Sequence, residues 1–366
     1  MKLTVGRETL LKPLQAVIGV VERRQTMPIL ANVLLVAKDG QVWITATDLE
    51  VELVASADID VGAPGEVTVP GRKLLDICKA LPEGAEVAIS QAGDKLTVRS
   101  GKSRFSLTTL PAAEFPTVED IRAGDQLELT QASLGRLLEK THFSMAQQDV
   151  RYYLNGLLLE TRKDALRAVA TDGHRLALCQ VPLAGAKAEA GKQVIVPRKG
   201  ILELQRLLSG EGNLTLELGS NHIRIQLEGI RFTSKLIDGR FPEYERVIPQ
   251  ETENKLEADR RLLRDALQRT AILSNEKYRG IRLMIDKNRV TLQAHNPEQE
   301  EAEEELDVRY GGDEIEIGFN VNYLLDALGA IDGEEVSLAV VDGNSSCLIR
   351  EPDSDDCKYV VMPMRL

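Results

Sequence analysis

Apolar residues return every third or fourth position from 9 to about 19, where Leu10, Leu14, Val17 and Ile18 form one stripe, and this spacing predicts an amphipathic helix. Thr9 is placed to cap it, and Pro13 falls near its first turn, where a missing amide costs least. The same periodicity predicts helices over 133–145 and 261–273, and a second set over 72–81, 198–208 and 321–331. Between them the apolar runs 33–36, 157–159 and 281–285 read as strands, and 47–54 alternates polar with apolar as a half-buried strand does.

These elements recur as a set. Ala46-Thr47-Asp48 returns as Ala170-Thr171-Asp172 and, weakened, as Ala294-His295-Asn296, with 124 residues between successive copies. Val69-Pro70-Gly71-Arg72-Lys73 matches Val196-Pro197-Arg198-Lys199-Gly200 and then Phe319-Asn320-Val321-Asn322-Tyr323, while Phe105-Ser106-Leu107 matches Phe232-Thr233-Ser234 and Tyr359-Val360-Val361. Phe115-Pro116 and Phe241-Pro242 read as a closing strand followed by a linker, because proline stops strand pairing. A repeat this long is a domain rather than a solenoid unit. The chain therefore divides into domains 1–118, 119–247 and 248–366, each an α+β unit with two helices among several strands.

Composition narrows the class. With 43% hydrophobic residues each domain can bury a core, yet no stretch approaches the ~20 apolar residues of a membrane span. The opening Met1-Lys2-Leu3-Thr4-Val5-Gly6-Arg7-Glu8 lacks the apolar core of a secretion signal, so a cytoplasmic protein without membrane contact is expected. Cys78, Cys179, Cys347 and Cys357 form no Cys-x-x-Cys pair, which points to reduced structural thiols and no metal site.

Charge sharpens the picture because it is uneven. The net charge of −12 argues against nucleic acid until it is divided: −1 over 1–118, +1 over 119–250 and −12 over 251–366. Much of the acidity lies in 296–306, whose glutamates favour a helix by propensity; the aligned segment of the first repeat is a strand, and the repeat overrules propensity. Such a segment is either a solvated face or a docking edge for a basic surface. The helices carry Lys12, Arg72, Lys73 and Lys79, then Arg136, Lys140, Arg198, Lys199 and Arg206, then Arg261, Arg264 and Arg269, a pattern suited to lying near phosphate without reading bases.

A search for catalysis finds little. Asp172 and His174 in Thr171-Asp172-Gly173-His174-Arg175 offer an acid/base pair for a hydrolase, but no nucleophile motif or phosphate loop accompanies them, and Asp-Gly is ordinary turn chemistry. A non-enzymatic protein without cofactor is expected, with a peptide-binding scaffold as the other reading.

The segments Gln147-Gln148-Asp149-Val150-Arg151-Tyr152-Tyr153-Leu154-Asn155-Gly156, Ala170-Thr171-Asp172-Gly173-His174-Arg175-Leu176-Ala177, Asp238-Gly239-Arg240-Phe241-Pro242, Asn275-Glu276-Lys277-Tyr278-Arg279-Gly280 and Val361-Met362-Pro363-Met364-Arg365-Leu366 closely resemble the bacterial sliding clamp family, the beta subunit of DNA polymerase III. The resemblance runs the length of the chain. It implies a ring-shaped head-to-tail homodimer of three DNA-clamp-type domains per chain, with helices lining a hole for double-stranded DNA held without sequence specificity. It also implies a clamp loader as partner, along with DNA polymerases and other proteins carrying short clamp-binding peptides.

By the same resemblance, DNA contact falls to Arg24, Arg72, Lys73, Gln148, Tyr152, Tyr153, Arg198 and Lys199, the tyrosines suiting stacked single-strand contact. The peptide pocket would have as its wall Leu154, Thr171, Gly173, His174, Arg175, Leu176, Pro242, Arg246, Val247, Tyr323, Ser346, Val360, Met362, Pro363 and Met364, with Arg151, Arg365 and Leu366 at its rim. At the dimer joint Ile272 and Leu273 would pack on Phe105 and Leu107, while Glu298, Glu300, Glu301, Glu303 and Glu304 face Lys73, Lys102 and Arg104.

Overall fold

Strand register carries the threefold repeat into three dimensions. The computed structural model describes residues 1–21, 27–118, 124–183, 191–250 and 252–365. Its helices are α1 (Arg7–Val17), α2 (Gly71–Ala80), α3 (Gln131–Thr141), α4 (Arg198–Leu207), α5 (Arg260–Thr270) and α6 (Val321–Ala330), two to each repeat. Among the described residues the chain forms two contact units, one from 1–132 and 199–236, the other from 133–183, 191–198 and 237–365, so the middle repeat contributes to both.

The first unit holds an eight-stranded antiparallel sheet in which Ile230–Lys235 of the middle repeat lies on Val51–Asp58 of the first, with Phe232 opposite Leu53. Its second sheet has five strands and ends on Ser103–Thr108. The other unit repeats the joint: Cys357–Val361 of the last repeat lies on Arg175–Pro182 of the middle one, with Tyr359 opposite Ala177, in another eight-stranded sheet. Its second sheet has four strands and ends on Glu301–Asp307. Side chains alternate along these strands, and the inward set, Leu283, Leu292, Ile317 and Phe319 among them, joins the apolar stripes of α5 and α6 in one core.

Several sequence expectations need correction. Helix α1 starts at Arg7 rather than Thr9, because Lys2–Gly6 runs directly into it; Gly6 is the capping residue and makes no side-chain cap bond. Pro13 is therefore inside the helix and buried, so Thr9 lacks the amide that would bond its carbonyl. Helices α3 and α5 end earlier than periodicity predicts, tightening into 3-10 turns at His142–Ser144 and Ala271–Leu273. Phe115 and Phe241 are not closing strands: each sits past the last strand of its repeat, buried to 5% exposure. In the acidic segment Glu301–Asp307 is a strand, whereas 296–300 is a turn in which the Glu300 amide donates to Asn296 Oδ1 at 2.9 Å.

The cysteines also depart from expectation. Cys179 and Cys357, 178 residues apart, face each other across the second joint and form a disulfide, while Cys78 and Cys347 are free and buried. Sequence spacing could not reveal this pair, because only the strand register sets them opposite.

Candidate functional site

The second unit contains a cavity of about 190 Å3 beside the joint of Arg175–Pro182 with Cys357–Val361. Leu154, Leu176 and Val360, all at most 4% exposed, give it an apolar base, and Pro242, Tyr244 and Val247 form a wall. Met362, 37% exposed, stands at its mouth, held by a hydrogen bond from its amide to the His174 carbonyl at 2.9 Å. The lip needs glycine: Gly173 has φ +87°, and a Cβ there would lie 3.0 Å from the Arg151 guanidinium. Arg151 in turn donates to the Asp172 carbonyl at 3.2 Å and pairs with Asp149 at 2.8 Å, its hydrogen bonds holding the Asp149 carboxyl at about 2. An apolar recess with a charged lip suits a short peptide, with buried side chains as anchors and polar groups fixing direction.

Asp172 builds the turn with Arg175 rather than an acid/base pair with His174. One Asp172 oxygen accepts the amides of His174 at 2.9 Å and Arg175 at 3.0 Å, and the other accepts Arg175 Nε at 3.2 Å. Arg175 then bonds Asp326 on α6 and the Phe143 carbonyl, and its guanidinium lies 4.5 Å from the Tyr323 ring centroid. Asp172 thus serves as a cap, and Tyr323 is brought to the site through Arg175.

Of the expected pocket residues, Arg151, Leu154, Thr171, Gly173, Arg175, Leu176, Pro242, Val247, Val360 and Met362 line the cavity. His174 contributes its carbonyl from an exposed position, and Arg246 points outward, paired with Glu243 at 2.6 Å. Ser346 lies outside the lining, just before Cys347–Arg350. Pro363, Met364 and Arg365 line a separate open cleft with Arg282 and Asn344, and Leu366 lies outside the described residues. Sequence reasoning missed Glu243 and Tyr244 and gave Tyr153 to DNA alone; the adjacency of 243 and 244 to Pro242 was the available signal.

Family models for the N-terminal, central and C-terminal domains of the DNA polymerase III beta subunit match residues 1–119, 128–243 and 245–365. The chain belongs to the bacterial beta sliding clamp family. It is 57% identical to the beta sliding clamp of Pseudomonas putida over 368 residues, covering all of both chains. It is similar to the crystal structure of the Pseudomonas aeruginosa beta subunit, with TM-score 0.98, 55% identity and full coverage of both. A second P. aeruginosa clamp structure, described as bound to griselimycin, matches with TM-score 0.97, 56% identity and full coverage of both. Sliding clamps are non-catalytic processivity factors of DNA polymerase III.

Within a clamp, the basic helix residues divide into committed and available. Arg72 donates to the Val21 carbonyl at 2.5 Å, and Lys199 pairs with Asp48 at 2.5 Å. Arg198, half-buried, starts α4 with its amide on the Asn155 carbonyl at 3.0 Å. Lys140 is buried on Asp332, so it does not belong to a phosphate-facing surface; Arg136, Arg206 and Arg269 are also ion-paired. Lys73, Arg261 and Arg264 are exposed on their helices. Gln148 takes a left-handed φ of 56°, and Tyr152, 57% exposed, meets the half-buried Tyr153 edge to face at 5.8 Å. Arg24 lies outside the described residues.

Apart from Lys73, exposed on α2, the candidate dimer residues sit on the free edges of the two smaller sheets or beside them. Lys102 and Arg104 are exposed, Phe105 is half-buried and Leu107 buried on the edge of the five-stranded sheet. Glu301, Glu303 and Glu304 lie on the edge of the four-stranded sheet and Glu298 and Glu300 in the turn before it, while Glu304 already pairs with Arg269. Ile272 is 75% exposed in the turn after α5, and Leu273 half-buried.

Proposed function

We propose that domains 1–118, 119–247 and 248–366 of two copies join head to tail in a ring around duplex DNA, placed there by a clamp loader, and that the cavity tethers DNA polymerases and other proteins by short peptides. One observation carries the dimer: the joint between repeats occurs twice within the chain in one register, and the strands left for a third lie at free edges. Ala46 faces Leu53, Ala170 faces Ala177 and Ala294 faces Ala302, so Ala302 is the third counterpart of the residues opposite Phe232 and Tyr359. Phe105 corresponds to Phe232 and Tyr359, which sets Phe105 opposite Ala302, Arg104 opposite Glu303 and Ser103 opposite Glu304 in the partner. Joining the edges removes both and pairs a basic strand with an acidic one. Exposed helix cations would then hold phosphates loosely enough to slide.

Ser103 and Glu304 correspond to Cys357 and Cys179, which the chain itself bridges. The Ser103→Cys/Glu304→Cys variant, loaded in its reduced form on a nicked circle and then oxidised, is expected to give a covalent dimer that escapes only after the circle is cut. The pair Arg104→Cys/Glu304→Cys, one position out of register, is expected to link far less. A monomeric native mass without linkage of the opposed pair overturns the dimer; retention after cutting overturns encirclement. For the pocket, a fluorescent short peptide with leucine and phenylalanine as its apolar anchors is expected to bind the recess.

A further inference from the structure

We propose that Tyr244 fixes the shape of the peptide pocket, its hydroxyl tethered by Glu160, Arg162 and Arg167 so that the wall from Pro242 to Val247 stands preformed. The inference rests on the pocket reading above and concerns what sets its affinity.

Apart from apolar packing of Phe241, Tyr244 and Ile248 against Leu158, Leu178 and Leu348, the backbone of the wall is tied to no strand. After Ile237, whose amide bonds the Ile195 carbonyl at 2.9 Å, the described chain to 250 joins no sheet. Its own backbone bonds, Tyr244 amide to Pro242 carbonyl at 2.7 Å and Arg246 amide to Glu243 carbonyl at 3.1 Å, tie the turn only to itself. Tyr244 lines the cavity while only 4% exposed and packs edge-on to Phe241 at 6.5 Å.

Side chains on the sheet supply the anchor. The Tyr244 hydroxyl donates to Glu160 Oε2 at 2.5 Å and accepts from Arg162 Nη2 at 2.8 Å and Arg167 Nη1 at 3.0 Å. Glu160, 5% exposed, also accepts Arg162 Nε at 2.8 Å and Gln193 Nε2 at 2.7 Å, and Arg167 reaches Gln180 at 3.0 Å. Both guanidinium groups bond Glu245, in the wall itself. Two cations and two carboxylates balance. Burial, then the Glu160 hydrogen bond, raise the Tyr244 phenol, so it keeps its proton. Burial also works to raise Glu160, but hydrogen bonds from Tyr244 and Gln193 with the Arg162 charge outweigh it and keep the carboxyl below its usual range. The result is a charge-assisted bond at the end of a rigid ring. Glu160, Arg162 and Arg167 do not line the cavity, so they are positioning residues acting through Tyr244. A wall fixed before binding spares the peptide the cost of ordering it.

The test uses the full chain and the leucine–phenylalanine peptide. Tyr244→Phe, which keeps the ring, is expected to weaken binding about tenfold, chiefly through faster dissociation with association unchanged. Glu160→Gln is expected to act in the same direction, and the double variant to bind no worse than the weaker single one, since both cut one tether. Thermal unfolding of each variant separates positioning from folding: a lowered midpoint with unchanged affinity measured well below it overturns the inference, as do additive losses in the double variant. An unaltered chain that does not bind the peptide overturns the pocket reading and this inference with it, whereas unaltered binding with Tyr244→Phe equally tight overturns only the tether.

Discussion

Lys140, its side chain 5% exposed, bonds Asp332 Oδ1 at 2.5 Å and the Ala330 carbonyl at 2.6 Å, with Arg136 on the other Asp332 oxygen at 2.6 Å. A buried ammonium survives only with such partners. Asp332→Asn keeps the shape and removes the charge, and because Asp332 is itself 58% exposed and screened by solvent, urea unfolding at pH 7 is expected to show a loss of up to ~1 kcal/mol. Burial tends to raise the Asp332 pKa, but hydrogen bonds from Lys140 and Arg136 outweigh it and the net direction is down. Its contribution is therefore complete above the ordinary aspartate value of about 4 and fades as pH falls through the lower folded value. The gap between the two proteins should narrow below about pH 4; an equal gap at pH 3 and pH 7 would refute the assignment. The sequence marks Lys140 as one more basic residue on a helix, because nothing local reveals that Asp332, 192 residues away, shares its site.

At the scale of elements, Glu301–Asp307 is a poor strand by composition, since glutamate is depleted in strands. Pairing with Arg289–His295 holds it, Leu306 turns toward the core, and Arg269 on α5 takes Glu304. Its outer edge bears a row of carboxylates that asks for a basic neighbour. Arg104→Glu is expected to weaken self-association up to about tenfold, and Glu303→Arg in the same chain to restore most of it, by sedimentation equilibrium at low salt. Weakening that Glu303→Arg deepens would exclude this register. The helices and most strands were legible from periodicity, and the repeat identified this strand against its propensity. The turn at 296–300 was not legible, because the third copy carries one extra residue there that shifts the pairing of Ala294 from 301 to 302.

At the scale of the molecule, the proposed dimer should draw its affinity from apolar burial and its orientation from charge. Ile272, 75% exposed in the single chain, and Leu273 have surface to lose. Burying Ile272 is worth ~1.5–3 kcal/mol and half-buried Leu273 a fraction of that, so Ile272→Ala/Leu273→Ala is expected to shift the proposed dimer to monomers while the unfolding midpoint of the monomer changes little. An unchanged native mass would refute the joint. The concentration of the −12 charge in 251–366 fits the same arrangement, placing acidity on one side of the joint and Lys102 and Arg104 on the other.

The sequence by itself determined the threefold repeat and the helix and strand classes, which depend on periodicity, and its short continuous segments carried the family resemblance that implied ten residues of the cavity. Tertiary structure alone decided which cations are free to meet phosphate, that Cys179 faces Cys357, and that Tyr244 is held by Glu160, Arg162 and Arg167. The Tyr244 bonds, the disulfide and the Lys140 pair join residues 77–192 apart in sequence, each with a buried side chain on at least one side. Local pattern carries no record of that meeting.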